Sequence, residues 1–346
     1  MAELVHRLRT ATPFHPDGFG QVERESQPGI SIICPVHDEE ANLVKLYDRV
    51  SRVMDQLHVR WELILVDDGS QDGSAEQIAK LHYLDGRVKG IRFSRNFGFQ
   101  IAVTAGLNAA SGDAVILMDA DLQDPPEVIP DLIARWRDGF DVVYSVRSER
   151  DGETWFKKAT AVAFYRLIHR ITSVNIPMDT GDFRLMDRRV VDSIIRMPER
   201  SRFLRGMVSW AGFRQTGLPY HRQPRFAGKS KFTLGKMIRF AWDAITSFSN
   251  VPLQIASWVG FALAGLSGIG MVLGIGLRLA GANPPLAGQA ATLVAVLFLG
   301  AVQLICLGII GEYLGRMYDE VKGRPLYLVE QTWGLEQGSA VHLPIH

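Results

Sequence analysis

Ala114-Val-Ile-Leu-Met-Asp119-Ala-Asp121-Leu-Gln123-Asp124 is an apolar run that ends abruptly in three carboxylates. The run is too short for a helix, and its bounds are those of a strand buried on both faces. Strand side chains alternate, so Asp119 and Asp121 leave the backbone on the same side. Two such carboxylates can hold a hard divalent cation, and the cation can clamp a diphosphate.

The same pattern repeats outward from this stretch. Strands are expected at Ile30–Cys34, Glu62–Val66, Val88–Phe93 and Asp141–Val146. Between them lie helical stretches at Asn42–Leu57, from about Ser74, at Phe99–Ala110 and at Glu127–Arg137. The first shows the helical spacing plainly, with Leu43, Leu46, Val50, Val53 and Leu57 on one face. Strands alternating with helices of this size predict an α/β fold, a Rossmann-like, mostly parallel sheet covered on both faces. Ligands of such sheets bind beyond the C-terminal strand ends. Pro35–Glu40, Asp67–Asp68, Arg95–Asn96 and Asp119–Gln123 all follow strands. Each alone has a plain structural reading, a turn or a helix entry. Their convergence on one sheet edge is what points to a site.

The alternation stops after Arg150. Trp155–Ile171 and Leu234–Phe248 are basic amphipathic stretches suited to a membrane surface or to a core face. Six Lys/Arg and no Asp/Glu lie between Arg222 and Arg239. No charged residue occurs from Leu253 to Leu277, nor from Leu279 to Gly311. Each of these runs exceeds the ~20 residues that cross a bilayer. Gly260, Gly265, Gly268, Gly270, Gly274 and Gly276 permit close helix packing in lipid, and with it self-association. The connecting loop Ala280–Gln289 has no Lys or Arg, whereas Lys231, Lys236 and Arg239 precede the pair and Arg316, Lys322 and Arg324 follow it. The positive-inside rule then places both flanks in the cytoplasm and the protein in the cell (inner) membrane as a multi-pass chain.

The 346 residues thus divide into a loosely ordered arm (1–28), an α/β domain (29–225), a basic juxtamembrane segment (226–250), a two-helix transmembrane hairpin (251–315) and a cytoplasmic tail (316–346). A formal net charge of +1 gives no reason to expect nucleic acid as a partner. Cys34 and Cys306 fall in different segments and are not expected to pair, which fits a reducing compartment. The N-terminus lacks the apolar core of a signal peptide.

Pro35-Val-His-Asp-Glu-Glu40, Val66-Asp-Asp-Gly-Ser70, Asp119-Ala-Asp-Leu-Gln-Asp-Pro-Pro126 and Gly181-Asp-Phe-Arg-Leu185 together resemble family 2 glycosyltransferases of the GT-A fold. Ser94-Arg-Asn-Phe-Gly98 and the paired apolar spans resemble a narrower group, the polyprenyl-phosphate glycosyltransferases, which include dolichyl-phosphate mannose synthase and the bactoprenol glucosyltransferases. The resemblance covers about Ile30 to Val329. It implies that Pro35, His37, Glu39, Asp67, Asp68, Arg95, Asp119 and Ala120 hold the nucleotide sugar. It implies a metal site at Asp119, Asp121 and Gln123, filled by Mg2+ or Mn2+, and a catalytic set of Asp119, Asp121 and Asp182. Arg147, Lys158, Arg202, Arg205, Arg225, Lys229 and Lys231 are the candidates for the lipid phosphate. Phe99 and His37 depart from the pattern, which favours a polar or basic residue at the first position and Tyr at the second.

The implied reaction is inverting transfer of a hexose to polyprenyl phosphate, with UDP-glucose the first-choice donor and GDP-mannose the second. Asp182 stands either as a base or as a group that orients the acceptor. A processive polysaccharide synthase shares the fold, but Gln254-Ile-Ala-Ser-Trp258 has Ser where its Gln-x-x-Arg-Trp motif has Arg. The intact set of Asp119, Asp121 and Gln123 argues against a membrane-anchored nucleotide-binding protein without turnover. Two spans per chain leave little room for the path of a transporter.

Overall fold

The computed structural model describes residues 29–147, 180–221, 251–280 and 289–335. The arm, both amphipathic stretches, Lys158, and the segment with Arg225, Lys229 and Lys231 lie outside the described residues. β1 (Gly29–Val36), α1 (Glu40–Gln56), β2 (Arg60–Asp67), α2 (Ser74–Leu84), β3 (Val88–Phe93), α3 (Phe99–Ala109) and β4 (Ala114–Leu117) follow the expected order. A 3-10 turn at Pro126–Val128 leads into α4 (Ile129–Arg137) and then β5 (Val142–Arg147).

Parallel β1 is flanked by β2 and β4, and β3 lies outside β2, also parallel. Every residue of β1 from Ile30 to Val36 is buried, as expected of a strand covered on both faces. The two-residue alternation divides the core. Ile32 and Cys34 face a layer containing Leu43, Leu46, Ile78 and Trp136, from α1, α2 and α4. Ile33 faces a second layer with Val103 and Leu107 of α3. Each fully buried Leu or Ile contributes about 2 kcal/mol of transfer free energy.

The second half holds elements that periodicity did not announce. β6 (Thr180–Asp187) inserts antiparallel between β4 and β5, and β7 (Gln215–Tyr220) runs parallel to β5. α5 (Arg188–Arg196) and α6 (Leu204–Trp210) bury Val190, Ile194 and Met207 in the second core layer. β6 is buried from Phe183 to Asp187, yet Asp182, Arg184 and Asp187 stand among its apolar residues, and this charge content hid it as a strand.

Among the described residues two helices are long and apolar enough to cross a membrane, α7 (Val251–Leu279) and α8 (Gln289–Val321). Neither apolar stretch is buried in the chain. Trp258, Phe261, Leu266, Val272, Leu304 and Leu307 are more than half exposed, a surface that is stable against lipid and a liability in water. α8 continues past residue 315 to Val321. The segment expected to be a tail then returns to the sheet: β8 (Val329–Trp333) pairs antiparallel with β3. Tyr327 stacks on Phe93 at 4.9 Å and anchors that return. The complete order is β7-β5-β6-β4-β1-β2-β3-β8. Because β2 and β4 flank β1 on opposite sides, the crevice at the C-terminal ends of β1 and β4 is the topological switch point, where ligands of open α/β sheets bind.

Candidate active site

The loops after β1, β2 and β3 are sewn together by carboxylates. Asp67 is fully buried, and its Oδ1 accepts the Ser70 N–H at 2.9 Å. Asp68 accepts the N–H groups of Phe97 (2.6 Å) and Gly98 (2.9 Å), drawing in the loop ahead of α3. Burial pushes the Asp68 carboxyl up, and these two donors pull against it. Gly69 has φ +65, and a Cβ there would overlap the backbone of Arg95 and Asn96. Gly69→Ala is therefore expected to destabilise the protein by at least about 2 kcal/mol. A melting temperature equal to wild type would show that the two loops do not abut.

His37 places Nδ1 3.0 Å from the Asp68 carbonyl oxygen, which assigns the ring hydrogen to Nδ1. The Asn96 amide lies 3.3 Å from His37 Nε2, so the open face of this loop is built from His37 and Asn96. Asp38, at φ 54, accepts the Gln71 N–H at 2.9 Å, and Glu39 accepts from the Asn42 side chain at 2.5 Å. Arg95 is exposed and stacks its guanidinium over Phe97 at 4.0 Å. Pro35 and Ala120 are buried beside these loops and offer backbone rather than side chains.

The acidic loop after β4 turns sharply at Leu122, whose φ is 61. Asp121 is nearly buried, and its Oδ1 accepts the Gln123 N–H at 3.1 Å. Asp119 and Gln123 are part-exposed. Cys34, at the end of β1, has its thiol pushed up first by burial and then by the Asp119 and Asp124 charges. Buried Asp124 accepts the Tyr220 hydroxyl at 2.6 Å. Among the described residues no three His, Cys, Asp or Glu converge on one point. A hard cation here would have two carboxylates and an amide from the protein, with its other positions left to ligand oxygens and water. Mg2+ at substrate phosphates takes such a set.

The third part lies on β6 and α6. Arg205 Nε and Nη2 donate to the two oxygens of Asp182, each at 2.8 Å. This two-pronged, charge-assisted geometry is among the stronger pairings available to a carboxylate. Arg184 lies behind it, buried, donating to the Gly181 carbonyl at 3.0 Å with Nη2 3.9 Å from Asp182. Burial lowers the Arg184 guanidinium to about 10, with the Arg205 charge pushing the same way and Asp182 opposing.

The sequence expectations thus separate into groups. Asp182 and Arg205, expected in different roles, hold each other. Arg202, expected at the lipid phosphate, is buried and donates to the Ile194 and Met197 carbonyls at the C-terminal end of α5, a position that suits a cation. Burial lowers its pKa. Arg147 ends β5, level with Tyr220 of β7. Arg184, Asp124 and Tyr220 were not singled out. Two of them stood inside quoted motifs, but burial of a charge leaves no mark in sequence.

An open sheet of this order, with carboxylate-bearing loops gathered at its switch point, is the GT-A fold of nucleotide-sugar transferases. A family model described as Glycosyl transferase family 2 matches residues 31–195. The chain belongs to that family. It is 47% identical over 306 residues to a Bacillus subtilis (strain 168) protein named as glycosyltransferase YkcC, covering 88% of this chain and 94% of that one. It is 42% identical over 306 residues to the SfII prophage-derived bactoprenol glucosyl transferase of Shigella flexneri, covering 88% and 98%. A prophage bactoprenol glucosyl transferase homolog of Escherichia coli (strain K12) is 39% identical, covering 88% and 99%. Among solved structures, glucosyl-3-phosphoglycerate synthase from Mycobacterium tuberculosis, in complex with Mn2+, UDP-glucose and phosphoglyceric acid, is 20% identical over 67% of this chain and 84% of that one, with a TM-score of 0.43. That likeness is distant, and nothing about substrate or metal follows from it.

Proposed function

We propose that this chain transfers a hexose from a nucleoside diphosphate sugar, UDP-glucose ahead of GDP-mannose, to polyprenyl phosphate at the cytoplasmic face of the cell membrane, with inversion at the anomeric carbon. The observation that carries this reading is the extent of the similarity to bactoprenol glucosyl transferases. At 88% of this chain and 98% of theirs, it leaves too little out to miss the apolar helices. The membrane orientation rests on the Lys/Arg asymmetry around α7 and α8.

Pro35, His37, Glu39, Asp67, Asp68 and Arg95 shape the nucleoside end. Asp67 Oδ2 supports this, being buried with no hydrogen-bond partner among the described residues. Arg92 Nε stands 3.8 Å from it, too far to donate. Burying such an acceptor is costly unless a donor is supplied. Asp119, Asp121 and Gln123 hold the Mg2+ or Mn2+, whose contribution is to neutralise charge on the departing diphosphate. The acceptor, a phosphate monoester with a second ionisation near pH ~6, is already anionic at neutral pH. The protein has to bring two anions together, and Arg205, Arg147, Lys158, Arg225, Lys229 and Lys231 supply the positive charge for this. Arg202 acts at one remove, by holding the loop that leads into α6.

The test is a donor panel on inside-out membrane vesicles containing the full-length chain and polyprenyl phosphate, with the lipid analysed by mass. One hexose added to polyprenyl phosphate from external UDP-glucose is the expected result. Lipid product only when the donor is sealed inside would reverse the orientation. A polymer, or no lipid product from any donor, would overturn the reaction.

A further inference from the structure

Tyr220 is the last residue of β7 and is 5% exposed. Its hydroxyl donates to Asp124 at 2.6 Å across 96 residues of sequence. Its ring meets Phe183 edge-on at 5.9 Å, and Phe183 directly follows Asp182 on β6. One side chain therefore touches both the acidic loop and the strand of Asp182. The acidic loop needs such a restraint. Leu122 sits in the left-handed region, which a Leu adopts only when its surroundings hold it there. The Gln123 N–H to Asp121 bond fixes the loop from within. The bond from Tyr220 fixes it from outside.

We propose that Tyr220 is a positioning residue for the acidic loop: through Asp124 it holds Asp119, Asp121 and Gln123 in the arrangement that takes the divalent ion. The proposal rests on the metal role given above. Tyr220 touches neither substrate nor ion, so its effect is indirect, and groups that orient metal ligands typically change metal affinity by about 10–100-fold.

Tyr220→Phe removes the hydrogen bond and keeps the ring against Phe183. Mn2+ binding to the full-length protein, followed by electron paramagnetic resonance with UDP and separately with GDP, reads the loop without requiring turnover. Tyr220→Phe and Asp124→Ala are each expected to weaken Mn2+ binding about tenfold. Asp124→Asn, which keeps an acceptor oxygen for the hydroxyl, should recover most of that loss. Wild-type Mn2+ affinity in both Tyr220→Phe and Asp124→Ala, with only a lowered melting temperature, would reduce the pair to a packing role and overturn the proposal. If the wild-type chain binds no Mn2+ with either nucleotide, the metal site itself is refuted, and this inference goes with it.

Discussion

Asp121→Ala will remove nearly all sugar transfer while the chain stays folded. Asp121 is nearly buried beside part-exposed Asp119, on a loop at the switch point of the sheet. In the metal site proposed above, an ion without this carboxylate would keep one charged protein ligand, and the departing diphosphate would lose its neutralising partner. An ion of this kind supplies several kcal/mol to the transition state. Losing about 4 kcal/mol corresponds to roughly a thousandfold in rate. A lost hydrogen bond such as that from the Gln123 N–H costs only about 1 kcal/mol, so the chain is expected to stay folded. Turnover of the purified variant with polyprenyl phosphate, alongside its melting temperature, checks both halves. A folded Asp121→Ala enzyme within tenfold of wild type would falsify the metal assignment. Chelation of the wild-type enzyme should abolish activity, and added Mg2+ or Mn2+ should restore it.

The second large effect is at the Asp182–Arg205 pair. Both oxygens of Asp182 accept from one guanidinium. A carboxylate so engaged is well placed to orient the guanidinium. The proposed acceptor needs no base in any case, its phosphate being ionised above pH ~6. We propose that Asp182 serves by holding Arg205 in place for the acceptor phosphate, the acceptor-orienting one of the two roles left open by its sequence. Asp182→Ala and Arg205→Ala should each lower transfer about a hundredfold. Removing both should be hardly worse than removing one, because groups that act as a unit are not additive. Arg205→Lys should not restore activity, since a point charge cannot reproduce the two-pronged geometry. The acid limb of the pH–rate profile should stay where the acceptor phosphate puts it, in wild type and Asp182→Asn alike. Loss of that limb in Asp182→Asn, with Arg205→Ala nearly active, would show that Asp182 is the base after all.

The resemblance of the motifs to family 2 glycosyltransferases is readable in the chain itself, and the first four parallel strands with their helices follow from apolar spacing. Pro35–Glu40, Asp67–Asp68, Arg95–Asn96 and Asp119–Gln123 could be placed on one edge because each follows an apolar run. The spans within α7 and α8 were legible for the same reason, as long stretches without charge. Residues after 150 were harder. β6 carries Asp182, Arg184 and Asp187 among its apolar positions, and β8 is short and half-exposed, so neither shows a clean two-residue alternation.

Local pattern is what a sequence carries on its face, because a buried strand or a membrane span is specified by neighbours a few residues apart. The α/β class, the loops that bear the chemistry and the two apolar spans all come from pattern of this kind. Which charges meet depends instead on how the folded chain brings distant segments together. Arg205 and Asp182 are 23 residues apart, and Tyr220 and Asp124 are 96 apart. Arg202 is written like any solvated arginine, yet it is buried against the end of a helix. A charged side chain has the same letter whether it faces water, a ligand or a carbonyl. Its role is fixed by the desolvation it must offset and by the partners the fold brings within hydrogen-bond reach.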